Sequence, residues 1–298
     1  MTVIQCKSLT KIYGQKKALH NATFQIEENK ITGVIGRNGA GKTTLLNMIA
    51  GLTSETSGDI KVFSEKPFQS LTVSANTIFI SDQMMLPPSM TLFHTLKAAS
   101  LFYEHFNLEL AERLLHYFSI DPNQYYEKLS KGMKSTFQAI IGIAARCPLT
   151  IFDEPTTGMD AGVRKDFYRA LLKDYLAYPR TILLSSHYLN EVEDLLEDIL
   201  IINDGQVLMH KSISEMKEWA VGLRGDSSFV DSWTKEKEVI HSQNIGAHEK
   251  YVVVKNDLTE DERYHLQVNE VHVRHVSPSD LSVYLTNNSK GDIDNVFR

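Results

Sequence analysis

The sequence predicts an α/β fold: a mostly parallel sheet flanked by helices, with an antiparallel β subdomain before it, a helical insert within it and a small α+β appendage after it. Three observations predict it. Short apolar runs of strand length alternate with segments of helical period between residues 31 and 210, the pattern of a parallel sheet covered on both faces. One run, containing Ile31, Val34 and Ile35, leads through a glycine-rich loop straight into a helical segment. Beyond about Gly222 the strand-then-helix units stop and the composition changes.

Residues 3–13 and 18–26 read as two β segments separated by a turn at Gly14. The strand ending at Ile35 then meets GRNGAGKTT, residues 36–44, which matches G-x-x-x-x-G-K-[ST] at Gly36, Gly41, Lys42 and Thr43. Chance produces such a match in roughly one of a hundred chains of this length. The strand before it and the helix after it (Leu45, Leu46, Met48, Ile49, ended by Gly51) are the context the motif requires. Its glycines let successive N–H groups point inward as a nest for anionic oxygens, and the helix adds the positive end of its dipole. The stretch is therefore a phosphate cradle, and the core is expected to be a P-loop NTPase. Lys42 is expected to reach the β- and γ-phosphates, and the Thr43 hydroxyl to hold Mg²⁺.

Downstream, Ser57-Gly58-Asp59 reads as a turn, and residues 60–63 and 77–80 as strands, the second ending at Ser81-Asp82-Gln83. From Thr91, a helix cap, Leu92, Leu96, Ala99, Phe102 and Phe106 recur at helical intervals, and Leu110, Leu114, Tyr117 and Phe118 continue the period. This helical insert spans about 88–148; its last helix, with Phe137, Ile140, Ile141 and Ala144, stops before Pro148. Residues 149–153 form an apolar strand that ends in Asp153 and Glu154. Carboxylates at the tip of a buried strand are costly unless they serve a cation or a reaction. Strands follow at 181–184, leading to Ser185-Ser186-His187, and at 199–202, which turns at Asn203-Asp204-Gly205 into 206–210. Helices are expected at 163–177 and 189–196. Alternating runs at 251–254 and 271–276 make the appendage. The expected division is 1–220 and 225–298, the last stretch, 287–298, being polar and expected to be a loose tail.

The 298 residues, 42% hydrophobic and 23% charged, suit a globular protein with a sizeable core. A net charge of −6 without a basic run argues against nucleic acid as a partner. Two separated cysteines, Cys6 and Cys147, make neither a disulfide framework nor a zinc site and fit a reducing cytosol. No signal peptide is visible. The most apolar stretch, 139–145, stops at Arg146, far short of the roughly 20 residues that span a bilayer. Work at a membrane would need another chain to supply the span.

Taken in order, GRNGAGKTT, Gln83, LSKGM at 129–133, IFDEP at 151–155, Met159-Asp160 and SSH at 185–187 resemble the nucleotide-binding subunit of an ABC transporter over residues 1 to about 215. A P-loop alone leaves kinases, GTPases and helicases open; the ordered set is far more specific. The resemblance implies ATP and Mg²⁺ as ligands, with Gly36, Asn38, Gly39, Gly41, Lys42, Thr43 and Thr44 at the phosphates, and Thr43, Asp153 and Gln83 around the metal. It makes Glu154 the general base, His187 a switch at the γ-phosphate and Gln83 a link to the membrane partner. Tyr13 reads locally as an edge-strand aromatic; the resemblance makes it an adenine platform. Ser130 and Gly132 would contact the γ-phosphate held by a second ATPase subunit, homo- or heterodimeric, with Asp160 touching that subunit. The loop departs from the usual LSGGQ at Lys131 and Met133, which leaves open weaker binding, added positive charge or a solvated lysine. Met84, Met85 and Leu86, ahead of Pro87-Pro88, either pack under the insert or receive a helix of a separate transmembrane permease subunit. LSKGM, DEPTTGMD and the C-terminal segment look most like Gram-positive exporters of antimicrobial or amphipathic peptides, of the bacitracin-resistance, lantibiotic-immunity and phenol-soluble-modulin type. The chain would then sit in the cytoplasm, peripheral on the inner face of the membrane. An importer ATPase, a soluble ABC ATPase and a nucleotide-sensing regulatory subunit are the alternatives.

Overall fold

The computed structural model describes residues 1–287. The chain divides into two compact units, Met1–His210 and Lys211–Arg298. In the first, β1 (Thr2–Tyr13) and β2 (Lys16–Glu27) form a hairpin that turns at Gly14, φ +58°, and pairs Tyr13 with Lys16. Then come β3 (Ile31–Ile35), α1 (Lys42–Ile49) and β4 (Ser57–Val62), which joins the hairpin in an antiparallel sheet of order β2-β1-β4. A short α2 (Leu71–Asn76), capped by Ser70, leads to β5 (Thr77–Ser81). The insert contains α3 (Leu92–Phe102), α4 (Leu108–Tyr117) and α5 (Lys131–Ala145). The unit continues with β6 (Leu149–Asp153), α6 (Ala161–Ala177), β7 (Thr181–Ser186), β8 (Asp198–Asn203) and β9 (Gln206–Ser212).

The main sheet runs β5-β6-β7-β3-β8-β9, and every pair from β5 to β8 is parallel. Strands β3, β6 and β7 are buried along their whole length, as apolar strands covered on both faces must be. Side chains of α1 (Leu45, Leu46, Met48, Ile49) pack with Ile4, Leu9, Ile151, Leu183 and Leu200 into one core. The register sets Ile35 beside Ser186 and Asp153 beside Ser185, so the carboxyl ends of β3, β6 and β7 finish together. In open parallel sheets that edge is where ligands are met.

The helical insert expected from Thr91 is present as separate helices, the second started by Asn107, which accepts a hydrogen bond from the Leu110 N–H at 2.8 Å. Three expectations change in the structure. Residues 57–59 open β4 instead of making a separate turn; Gly58, at φ +90°, is needed where a Cβ would stand 2.3 Å from Ser8 O. The helix expected at 189–196 is two 3₁₀ turns, Leu189–Glu191 and Glu193–Leu195. Buried Leu189, Val192 and Leu195 recur every third residue, and three residues per turn is the 3₁₀ repeat. The boundary lies at His210, ahead of the expected 220–225.

That shift has a direct cause in the second unit, whose elements are α7 (Ile213–Trp219), β10 (Ala220–Asp226), α8 (Ser227–Trp233), β11 (Val239–Ile245), β12 (Glu249–Lys255), α9 (Glu260–Val268), β13 (His272–His275) and α10 (Pro278–Thr286). The glycines read as a break lie inside β10, a central strand. Gly222 is there because a Cβ would meet the Tyr251 hydroxyl at 2.4 Å. The sheet order is β11-β12-β10-β13 with every pair antiparallel, so β10 to β13 form a split β-α-β-β-α-β unit. Val221, Leu223, Val252, Val254 and Leu266 form its own core. The loose tail expected over 287–298 lies, past Asn287, outside the described residues.

Candidate functional site

The loop from Gly36 to Gly41 links the end of β3 to the start of α1, and two of its glycines, Gly36 and Gly41, are demanded by contacts. A Cβ on Gly36 would lie 2.2 Å from Ile202 O; one on Gly41, at φ +110°, would lie 2.5 Å from Ala18 O. Lys42, the first residue of α1, is buried. Its Nζ donates to Gly36 O at 2.8 Å and to Arg37 O at 3.3 Å, and pairs with Glu154 Oε1 at 3.1 Å. A lysine held this deep needs those partners, because an unpaired buried ammonium is expensive.

Beside it, Thr43 Oγ1 donates to Asp153 Oδ2 at 2.7 Å. Ser185 Oγ donates to Asp153 Oδ1 at 2.6 Å and accepts from the Glu154 N–H at 2.9 Å. One serine at the tip of β7 thus orients both acidic residues at the tip of β6. Glu154 has φ +48°, a left-handed conformation rarely adopted by a side chain of this size and concentrated at functional sites. His187 Nδ1 lies 3.4 Å from Glu154 Oε2, with its ring centroid 4.0 Å from that of Tyr188.

These groups surround a cavity of about 430 Å³. Of the residues predicted from sequence, Asn38, Gly39, Gly41, Lys42, Thr43, Thr44, Gln83, Asp153 and Glu154 line it. Gly36 sits behind the wall, its carbonyl bound by Lys42. His187 opens on an adjoining cavity that also contains Glu154. Tyr13 does not line the main cavity: it stands half-exposed at the hairpin end, with Lys11 Nζ 5.1 Å from its ring centroid. Ser130, Gly132 and Asp160 are together elsewhere, lining a third cavity. There Ser130 caps α5 by accepting from the Met133 N–H, and Asp160 caps α6 by accepting from the Val163 N–H at 2.9 Å.

Sequence reasoning gave no role to Lys16, Ala18, Asp82 or Thr157, which line the cavity, or to Ser185. Asp82 and Ser185 adjoin singled-out residues, Gln83 and the Ser186-His187 pair, and strand-end position was the available signal. Lys16 could be found only through its cross-strand pairing with Tyr13. The cavity's charged side chains are two cations, Lys16 and Lys42, against three carboxylates, Asp82, Asp153 and Glu154. Among the described residues no group of three or more His, Cys, Asp or Glu is placed to hold a metal. No helix among them is long and apolar enough to cross a membrane.

A family profile described as ABC transporter matches residues 19–157, from β2 through the two carboxylates. The bacitracin transport ATP-binding protein BcrA of Bacillus licheniformis is 30% identical over 222 residues, 73% of this chain and 72% of that protein. The SkfA peptide export ATP-binding protein SkfE of Bacillus subtilis (strain 168) is 26% identical over 241 residues, 79% of this chain and 100% of that protein. A solved structure described as the ATP binding subunit of an ABC transporter is 26% identical, with a TM-score of 0.65, over 72% of this chain and 92% of that one. With the phosphate loop and paired carboxylates in one cleft and the histidine after β7 on the adjoining one, the chain belongs to the ABC transporter ATP-binding proteins, a family of ATPases.

Proposed function

We propose that this chain hydrolyses ATP to drive export of a peptide-like substrate through a separate membrane subunit. The observation that carries the ATPase chemistry is the Lys42, Thr43, Asp153, Ser185 and Glu154 constellation inside a glycine-lined cleft. The loop amides and Lys42 bind the β- and γ-phosphates. Lys42 Nζ, 3.1 Å from Glu154 Oε1, sets the cation that meets the phosphates beside the carboxylate that meets the water. Glu154 takes a proton from water as its oxygen attacks the γ-phosphorus; the bond to the β-phosphate oxygen breaks, and ADP leaves with the electron pair. His187 holds the γ-phosphate side of the site, and Tyr13 offers a ring for adenine.

The donor set fits Mg²⁺: Thr43 hydroxyl and Asp153 carboxylate are hard oxygens brought within 2.7 Å of each other, and such a site is completed by phosphates and water instead of a protein cage. Gln83, which lines the same cavity, would supply a further oxygen ligand. Bound there, the ion neutralises the polyphosphate, which a cleft with more carboxylates than cations cannot do alone.

Ser130, Gly132 and Asp160 line a separate cavity and not this cleft, which supports their use on the nucleotide of a second subunit, homo- or heteromeric. Met85, 95% exposed beside part-buried Met84 and Leu86, is the surface offered to the membrane subunit. Export of a peptide is supported by the names of BcrA and SkfE. The subunit would work in the cytoplasm against the inner face of the membrane. Glu154→Gln tests the chemistry: MgATP binding persists, while turnover falls by about 10²-fold or more. Wild-type turnover by the folded variant removes Glu154 as the base.

A further inference from the structure

The chain between His187 and β8 has few backbone bonds to fix it. Its two 3₁₀ turns close through Val192 N–H to Leu189 O and Leu196 N–H to Glu193 O, with Leu195 N–H to Val192 O between them and Glu197 N–H to Ile31 O after them, and such turns are poorer in geometry than an α-helical ladder. Its place therefore depends on side-chain anchors. Buried Leu189, Val192 and Leu195 are three of them. The fourth is an ion pair between Glu191 Oε1 and Arg164 Nη1, side chains 25% and 29% exposed. Arg164 lies one turn into α6, and its backbone N–H donates to Asp160 O at 3.0 Å. Its Nε is buried without a hydrogen-bond acceptor among the described residues, so the Glu191 carboxylate is what fixes the guanidinium.

The pair stands where two cavities meet. On one side, about 230 Å³ is lined by Glu154, Met159 and His187 together with Arg164 and Glu191. On the other, about 410 Å³ is lined by Tyr168, Leu172 and Leu195, with Lys165, Arg169 and Asp194 also on its wall, and shares Arg164 and Glu191. With apolar side chains against one flank, the charges are screened less than a solvated surface pair. Breaking it leaves a part-buried charge on each segment.

We propose that Arg164 and Glu191 are positioning residues whose ion pair couples the turn after His187 to the start of α6 after Asp160. The inference rests on the roles proposed above for His187 at the γ-phosphate and Asp160 at the second subunit. The pair makes the two segments move as one body, so that nucleotide drawing on His187 also shifts Asp160. A rigid link of this kind sets catalytic geometry without itself contributing to bond making.

The experiment uses the full chain and compares wild type with Arg164→Ala, Glu191→Ala and the exchanged pair Arg164→Glu/Glu191→Arg, with His187→Ala alongside. Thermal melts establish that each variant folds; a fluorescent ATP analogue with Mg²⁺ reads binding, and steady-state hydrolysis reads kcat and KM. Each single variant is expected to bind the analogue within about twofold of wild type and to lose kcat by roughly tenfold to a hundredfold at little-changed KM. The exchanged pair is expected to recover most of that loss. Folded single variants with wild-type kcat overturn the proposal, as does an exchanged pair no faster than the single variants. An inactive His187→Ala beside fully active Arg164→Ala removes the coupling alone; an active His187→Ala removes the switch reading and the coupling with it. Should either alanine variant fail to fold, Glu191→Gln, which keeps the shape and drops the charge, gives the same comparison.

Discussion

Ser185 supports two acidic residues at once: its hydroxyl binds the Asp153 carboxylate and receives the Glu154 amide. Ser185→Ala removes both bonds and frees Glu154 from the support of its left-handed backbone. The expected result is a fall in kcat of about tenfold, since groups that orient a site's ligands commonly matter on that scale. Steady-state kinetics check it, and an unchanged kcat would show that β6 alone holds the carboxylates. Cys147 is a second case decided by one environment. Burial pushes its thiol up to about 12, Arg180 nearby pulling the other way. Since the thiolate is the reactive form, folding keeps the sulfur inert at neutral pH. Iodoacetamide at pH 7.5 is expected to leave Cys147 unlabelled in the native protein and to label it after denaturation, as peptide mass spectrometry would read. The cysteines were legible from sequence as unpaired, but their burial was not.

Among elements, the break between α3 and α4 is the instructive one. Apolar positions run on in helical register across it, while the first helix ends at extended Tyr103 and the second starts at the Asn107 cap. Asn107→Ala is expected to lower stability by about 1 kcal/mol, the usual worth of a side-chain cap, measured by urea denaturation. A loss near zero would place the break in the packing of α4 on α5 instead. The start of α5 is set differently: a Cβ on Gly132 would stand 2.4 Å from Gly158 O, so the signature loop lies flat against the chain leading to Asp160. The stem of Lys131 rests on Gly158, where a Cβ would stand 3.1 Å from the Lys131 Cγ. Periodicity found both helices but carries no information about where two in-register helices part.

At the scale of the whole molecule, two units have separate cores, and the position of a cut decides what survives it. A chain ending after Ser212 keeps β9 whole and is expected to remain soluble, melt cooperatively and bind ATP. One ending after Gly225 retains most of β10 but removes its partners β12 and β13, exposing a strand that carries Val221 and Leu223. Unpaired apolar edges associate, so this longer chain is expected to be the less soluble of the two. Gel filtration of both checks the order, and equal behaviour would argue against two independent units.

The phosphate loop, the carboxylates at a strand tip and the alternation of strands and helices could all be read from residue order. Each is a local requirement: glycines where the backbone must turn left or pass close, a period of two or of 3.6 where one face is buried. The pairings that make the site were not local. Thr43 and Asp153 are 110 residues apart, and Ser185 meets Asp153 across 32; the parallel register of β3, β7 and β6 brings them together. Ser130 and Asp160, which the resemblance gave to the nucleotide and surface of a second subunit, line a cavity of their own apart from this cleft. Gly222 shows the limit most plainly, because a glycine that marks a break in one chain is, in this one, the space a tyrosine ring needs across a central strand.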